Sequence, residues 1–197
     1  MDHADHARLL APGLDGAGRG EGAVWADLGA GRGAFTLALA DLLGPGARIV
    51  AVDRDREALA ENARAVAARF PGTVLETLVA DFTAPLAVPP LDGLVAANSL
   101  HFVASTAQVA VVRHLAGRLR PGGRFLVVEY DTDHGNPWVP HPFTFARWER
   151  LAGEAGLLET RRIDRVPSRW LGAIYSAASR TSPAGPPAGP DRTSVSP

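Results

Sequence analysis

The segment Asp27-Leu28-Gly29-Ala30-Gly31-Arg32-Gly33 lies between the apolar run Ala23-Val24-Trp25-Ala26 and a helical pattern that begins at Ala34. A strand that feeds glycines and then a helix N-terminus makes a ligand-binding corner. Without Cβ atoms the backbone approaches a ligand closely, and the first helical N–H groups point outward. Residues Gly29 to Ala34 fit two patterns. One is G-x-G-x-G; the other is the dinucleotide fingerprint G-x-G-x-x-G/A, for which Asp53 stands at about the expected ~20-residue distance. The flank separates them. Asp27 precedes the first glycine by two residues, where a dinucleotide-binding strand carries an apolar side chain. A carboxylate there repels pyrophosphate and suits a ligand with a cationic centre. Its alternative role is to satisfy amides of the turn itself.

Other polar groups fall where apolar runs end. Asp53 closes Arg48–Val52, Asp81-Phe82 follow Thr73–Ala80, Asn98 closes Gly93–Ala97, and Glu129-Tyr130 end Arg124–Tyr130. In open α/β sheets the C-terminal ends of the strands border the ligand crevice. His101, in Asn98-Ser99-Leu100-His101-Phe102, and Glu129 are the candidate general bases, with Tyr130 a weaker third. Histidine titrates near neutrality and suits a base; at this place it could equally cap the next helix. Adjacent strand residues face opposite ways, so one of Glu129 and Tyr130 is expected to reach the cleft. The loop Asp131-Thr132-Asp133-His134, with His141, offers hard-metal ligand types. No distant carboxylate completes a set, and no metal is assigned. With Trp138 and Phe143, this loop reads better as the wall of an acceptor pocket.

The elements that hold these groups alternate strand and helix. Helical patterns run over Ala34–Leu43, Arg56–Phe70, Ser105–Leu119 and Phe143–Ala155, each ending near Gly or Pro. Leu59, Ala63, Val66 and Ala67 form an i, i+4, i+7, i+8 stripe on the second of them. Such alternation indicates βαβ units and a mostly parallel sheet. The last two runs, Leu157–Arg165 and Trp170–Ala178, are joined by too short a link for a crossover and are expected to pair antiparallel. Residues 1–22 form a short N-terminal segment with one short helix near Asp5–Leu10, a minimal lid if it covers the site. Residues 23–180 form the domain, and 181–197, rich in Ser, Pro, Gly and Ala, read as a disordered tail.

Composition removes several chemistries. The 197 residues contain no cysteine, so disulfides, cysteine-ligated zinc and thiol nucleophiles are excluded. All 20 basic residues are arginine, so no lysine exists for a Walker A loop, a Schiff base or a Tyr-Lys pair. A net charge of -1 gives no basic footprint for nucleic acid, and no run approaches a membrane span. A cytoplasmic location is the expectation.

Asp27–Thr36, Val52-Asp53, Ala80-Asp81-Phe82, Leu91–Asn98 and Leu119–Tyr130 resemble, in order, the successive motifs of class I S-adenosylmethionine-dependent methyltransferases. The turn Leu119-Arg120-Pro121-Gly122-Gly123 is similar to that of the small-molecule branch. The resemblance covers residues 23–178. It implies a Rossmann-like α/β fold, with a seven-stranded mostly parallel sheet, helices on both faces and a C-terminal antiparallel hairpin. It also implies S-adenosylmethionine as cofactor and methyl transfer to a small-molecule acceptor. On this reading Asp27, Gly29, Gly31 and Gly33 cradle the amino-acid end and Asp53 accepts both ribose hydroxyls. Arg54 lies beside the adenine, Asp81 accepts from its amino group, and Phe82 walls the base. Asn98 touches cofactor or acceptor. Arg54 as a solvated charge and Phe82 as ordinary core are the competing readings. Asn-Pro-Pro-Tyr, the mark of exocyclic-amine methylation, is replaced by Asn98-Ser99-Leu100-His101. Two other functions use the same turn: a NAD-dependent oxidoreductase, and a methyltransferase-like binding module without catalysis. Oligomeric state is not legible.

Overall fold

A computed structural model describes residues 1–168 and 170–184 of the chain. Seven strands form one sheet: β1 Val24–Leu28, β2 Arg48–Asp53, β3 Val74–Val79, β4 Leu91–Ala97, β5 Leu119–Tyr130, β6 Leu158–Pro167 and β7 Ala173–Arg180. Their spatial order is β3-β2-β1-β4-β5-β7-β6. The first five are parallel, and β7 inserts antiparallel between β5 and β6. The chain order reverses between β1 and β4, which opens a crevice at their C-terminal ends. The inserted antiparallel β7 departs from the 3-2-1-4-5-6 order of a dinucleotide-binding sheet.

Strict alternation along the strands builds two apolar layers. Ala26, Leu28, Leu94, Ala96, Phe125 and Val127 face one side, buried against α4 Gln108–Ala116 and α5 Phe145–Glu154. Trp25, Val95, Leu126 and Val128 face the other, against α1 His3–Leu10 and α2 Ala34–Leu43. A period of two in a sheet covered on both faces gives this partition. The remaining helix, α3 Arg56–Arg69, is capped by Asp55 and sets Leu59 against Ala51 of β2. Among the described residues no helix is long and apolar enough to cross a membrane.

Several boundaries differ from the sequence reading. β1 runs two residues beyond Ala26, so Asp27 is a strand residue and not part of the turn. α4 starts at Gln108, because Ala104–Ala107 form a turn first. β7 starts at Ala173: Ser168 N–H donates to Gly172 O, and Trp170 falls in the hairpin connection instead of a strand. α1 buries Leu9 and Leu10 in the layer beside α2, with Leu14 just beyond it, so it is a packing helix of the sheet. Of the expected tail, Thr181 is tied by its N–H to Gly123 O and by Oγ1 to Arg120 O, at 3.0 and 2.6 Å. Residues 185–197 of that expectation lie outside the described residues.

Candidate active site at the strand ends

The glycine turn begins where β1 stops. Gly29 and Gly33 adopt φ of +73° and +93°, the left-handed region in which a side chain is strained. Space forbids one as well. A Cβ on Gly29 would lie 2.5 Å from Ser99 Cβ, and one on Gly33 would lie 2.3 Å from Asn62 Oδ1. Beneath the turn, Asp27 is fully buried and its Oδ2 accepts from Thr36 Oγ1 at 2.6 Å. Thr36 Oγ1 in turn accepts from Asn62 Nδ2 at 2.8 Å. Asp27 is thus held from α2 and α3, and not by amides of the turn. Burial, with the neighbouring Asp53 charge adding to it and Thr36 opposing it, pushes its carboxyl up to about 6.

Asp53 ends β2 and braces the turn from the side. Its Oδ2 accepts from Gly31 N–H at 2.8 Å and its Oδ1 from Asp55 N–H at 2.9 Å. A carboxylate oxygen takes two donors, so both retain capacity for ligand hydroxyls. Gly29, Asp53, Arg54, Ala80, Phe82, Asn98, Ser99 and Phe102 line a groove of about 140 Å³. It shares Arg54, Phe82 and Phe102 with a neighbouring recess of about 290 Å³ that Asp81 also lines. Arg54, largely solvated, lies 3.7 Å from the partly exposed Asp81. The hydrogen bonds from Thr83 hold the Asp81 carboxyl below its ordinary range, with help from Arg54. Phe82 is half-buried: it packs against the core layer beside α4 and α5 and also lines the groove.

Asn98 is the hinge of the site. It ends β4 at φ +51°, an uncommon conformation for a non-glycine residue, fixed by its N–H donating to Val128 O at 2.8 Å. Its Oδ1 and the neighbouring Ser99 Oγ are buried without a hydrogen-bond partner. Buried polar atoms are ordinarily satisfied, so this pair marks a place where a ligand donor fits. Asn98 also lines a second cavity, of about 490 Å³, with His101, Tyr130, Asn136, Trp138, Val139 and Trp170.

The structure brings the two candidate bases together. His101 Nδ1 lies 2.9 and 3.0 Å from the two oxygens of Glu129, with His101 3% and Glu129 0% exposed. The Nδ1–H donates to the carboxylate, which leaves Nε2 as the acceptor of the ring. Glu129 is held in place by accepting from Tyr130 N–H at 2.8 Å. Glu129 does not line the cavity, and its link to it is the contact with His101. Tyr130 is the β5 residue that reaches the cavity. Burial and the Glu129 charge push its hydroxyl up, which favours its protonated, donating form.

The metal-type residues serve the loop. Asp131 accepts from Arg165 Nε at 2.7 Å and Asp133 faces Thr144. No group of three or more His, Asp or Glu among the described residues is placed to hold a metal. Sequence reasoning missed Thr36, Asn62, Ser99, Asn136 and Trp170. Thr36 and Ser99 adjoin residues it did select, but Asn62 lies mid-helix and nothing in its neighbourhood marks it.

Residues 26–123 match a family model described as a methyltransferase domain. A ribosomal RNA small subunit methyltransferase H of Paracidovorax citrulli (strain AAC00-1) is 46% identical over 57 residues, 29% of this chain and 18% of that protein. A release factor glutamine methyltransferase of Mycolicibacterium smegmatis is 51% identical over 73 residues, 37% of this chain and 24% of that protein. The chain therefore spans a quarter or less of the length of these relatives. Among solved structures, human N-acetylserotonin methyltransferase in complex with S-adenosylmethionine superposes with a TM-score of 0.64 at 20% identity. That superposition covers 89% of this chain and 51% of the human one, and is a likeness of fold.

Proposed function

Residues 26–123 belong to the methyltransferase-domain family, within the fold of class I S-adenosylmethionine-dependent methyltransferases, and from that premise we propose that the chain methylates a small-molecule acceptor. The observation that carries this reading is the seam at Asn98. This residue lines both the groove of the glycine turn and the larger cavity, three residues before a histidine poised as a base.

The groove suits the cofactor on its own chemistry. Gly29 lines the groove with bare backbone, Asp53 offers two carboxylate oxygens to ribose hydroxyls, and Phe82 presents an apolar face to the base. Asp81, on the adjoining recess, accepts from an exocyclic amine. Asn98 Oδ1 and Ser99 Oγ are free for donors at the amino-acid end. When bound, S-adenosylmethionine supplies a methyl group on an activated sulfonium, so the protein's task is alignment and, for a protonated nucleophile, removal of a proton. His101 Nε2 takes that proton, while Glu129 holds the tautomer and stabilises the imidazolium. Among the described residues, the cavity beside His101 is walled largely by aromatic groups, as small-molecule pockets are.

Asp27 gives the reading a pH test. Its raised carboxyl means that ionisation costs the fold stability in full above about pH 6, and that the cost shrinks as pH falls from there and is gone below the ordinary value of 3.8. A ligand ammonium favours the ionised form, so binding is stronger above that pH. Affinity for S-adenosylhomocysteine, measured by calorimetry, is expected to fall about fivefold from pH 7.5 to 5 for one unit of coupling. In Asp27→Asn the profile flattens. A flat profile in the unmodified protein would remove Asp27 from the cationic end of the ligand.

A further inference from the structure

Four tryptophans occur in the chain, and they divide sharply. Trp25 and Trp148 are completely buried, whereas Trp138 and Trp170 are 82% and 76% exposed. The two exposed ones lie 32 positions apart, one in the connection after β5 and the other in the β6–β7 hairpin, yet both line the 490 Å³ cavity beside His101. Neither serves the core. Large aromatic surface left in water at the rim of a concave, largely apolar cavity marks a binding site. Tyr130 adds a third ring from the end of β5.

We propose, resting on the methyltransferase reading, that the acceptor is a planar aromatic molecule bearing a phenolic hydroxyl, clamped between Trp138 and Trp170 with its hydroxyl at His101. Three features converge. Indole faces stack on flat π-systems with an attraction beyond area burial that comes from pairing two π-systems. Among the described residues the lining is largely aromatic and apolar, with no Arg, Asp or Glu, and Asn136 spends its Oδ1 on the N–H groups of Trp138 and Val139. An imidazole base lies closer in acidity to a phenol, near pH 10, than to a water-like hydroxyl near 16, so proton transfer to it is easier from the phenol. In the reaction the phenolic proton passes to His101 Nε2 and the oxygen forms the new O–C bond. The methyl carbon–sulfur bond breaks with its electron pair going to sulfur, which leaves a neutral thioether.

The test titrates the full chain with 2-naphthol and with decahydro-2-naphthol in the presence of saturating S-adenosylhomocysteine, by calorimetry. The proposal expects 2-naphthol to bind at least tenfold more tightly than its saturated counterpart. It also expects Trp138→Ala and Trp170→Ala each to weaken 2-naphthol about tenfold while leaving S-adenosylhomocysteine affinity unchanged. Both side chains are largely solvated, so neither change opens a hole in the core. Equal binding of the two probes, indifference to both substitutions, or no binding of either to a protein that takes S-adenosylhomocysteine overturns the proposal and leaves the methyltransferase reading standing. Failure to bind S-adenosylhomocysteine at all overturns the reading beneath it, and the proposal with it.

Discussion

His101→Gln is expected to lower kcat for a phenolic acceptor by roughly 10²–10⁴-fold, the range for loss of a positioned general base. The substitution suits the site because glutamine still offers a donor to Glu129. A buried carboxylate deprived of its partner would otherwise destabilise the protein and obscure the kinetics. Cofactor affinity should stay unchanged, since His101 lines the acceptor cavity and not the glycine-turn groove. An acceptor already ionised at the assay pH needs no base, so it should recover most of the lost rate in the variant. Glu129→Gln, which keeps the shape of the pair but removes its charge, should fall between wild type and His101→Gln. A His101→Gln rate within twofold of wild type, or the same deficit with ionised and protonated acceptors, would remove His101 from proton transfer.

The second large effect is structural. Gly33→Ala forces a side chain into φ +93° and sets its Cβ 2.3 Å from Asn62 Oδ1, within a fully buried amide that cannot swing away. The left-handed backbone costs roughly 1–2 kcal/mol and the overpacking about 1–3, so a loss of about 2–5 kcal/mol is expected in urea unfolding. Asn62 also anchors Thr36, and through it Asp27, so the damage extends from the turn to the buried carboxylate. A double-mutant cycle separates the two costs. Asn62→Ala in the same chain removes the collision but not the backbone strain, and so recovers part of the loss. A Gly33→Ala protein within 0.5 kcal/mol of wild type, a margin ordinary for surface changes, would mean that the turn relaxes.

How much of this was legible in the sequence follows from which interactions are local. The β1–turn–α2 unit was, because positive-φ glycines between a strand and a helix leave a local signature. The strand-end acids Asp53 and Asp81 were too, because the crevice of a parallel sheet always lies at those ends. The His101–Glu129 pair was not. Each residue stood out alone, but their contact depends on β4 and β5 being parallel neighbours with Ala97 opposite Val128. That register brings the residue after Val128 against the segment that leaves β4. The same holds for Trp138 and Trp170. Periodicity placed Trp170 in a strand, and only the Ser168–Gly172 hydrogen bond shows the chain still turning there. The buried Asp27–Thr36–Asn62 chain links one strand and two helices, and no spacing rule predicts it.

Calorimetric titration with S-adenosylhomocysteine, beside NAD as control and with Asp53→Ala as variant, bears most directly on the assignment of the groove. Wild type is expected to bind S-adenosylhomocysteine and not NAD. Asp53→Ala should weaken that binding by about 1–3 kcal/mol, roughly 5- to 150-fold, through the loss of charge-assisted hydrogen bonds to the ribose. Binding of NAD in its place, or a folded Asp53→Ala protein with unchanged affinity, would contradict the assignment.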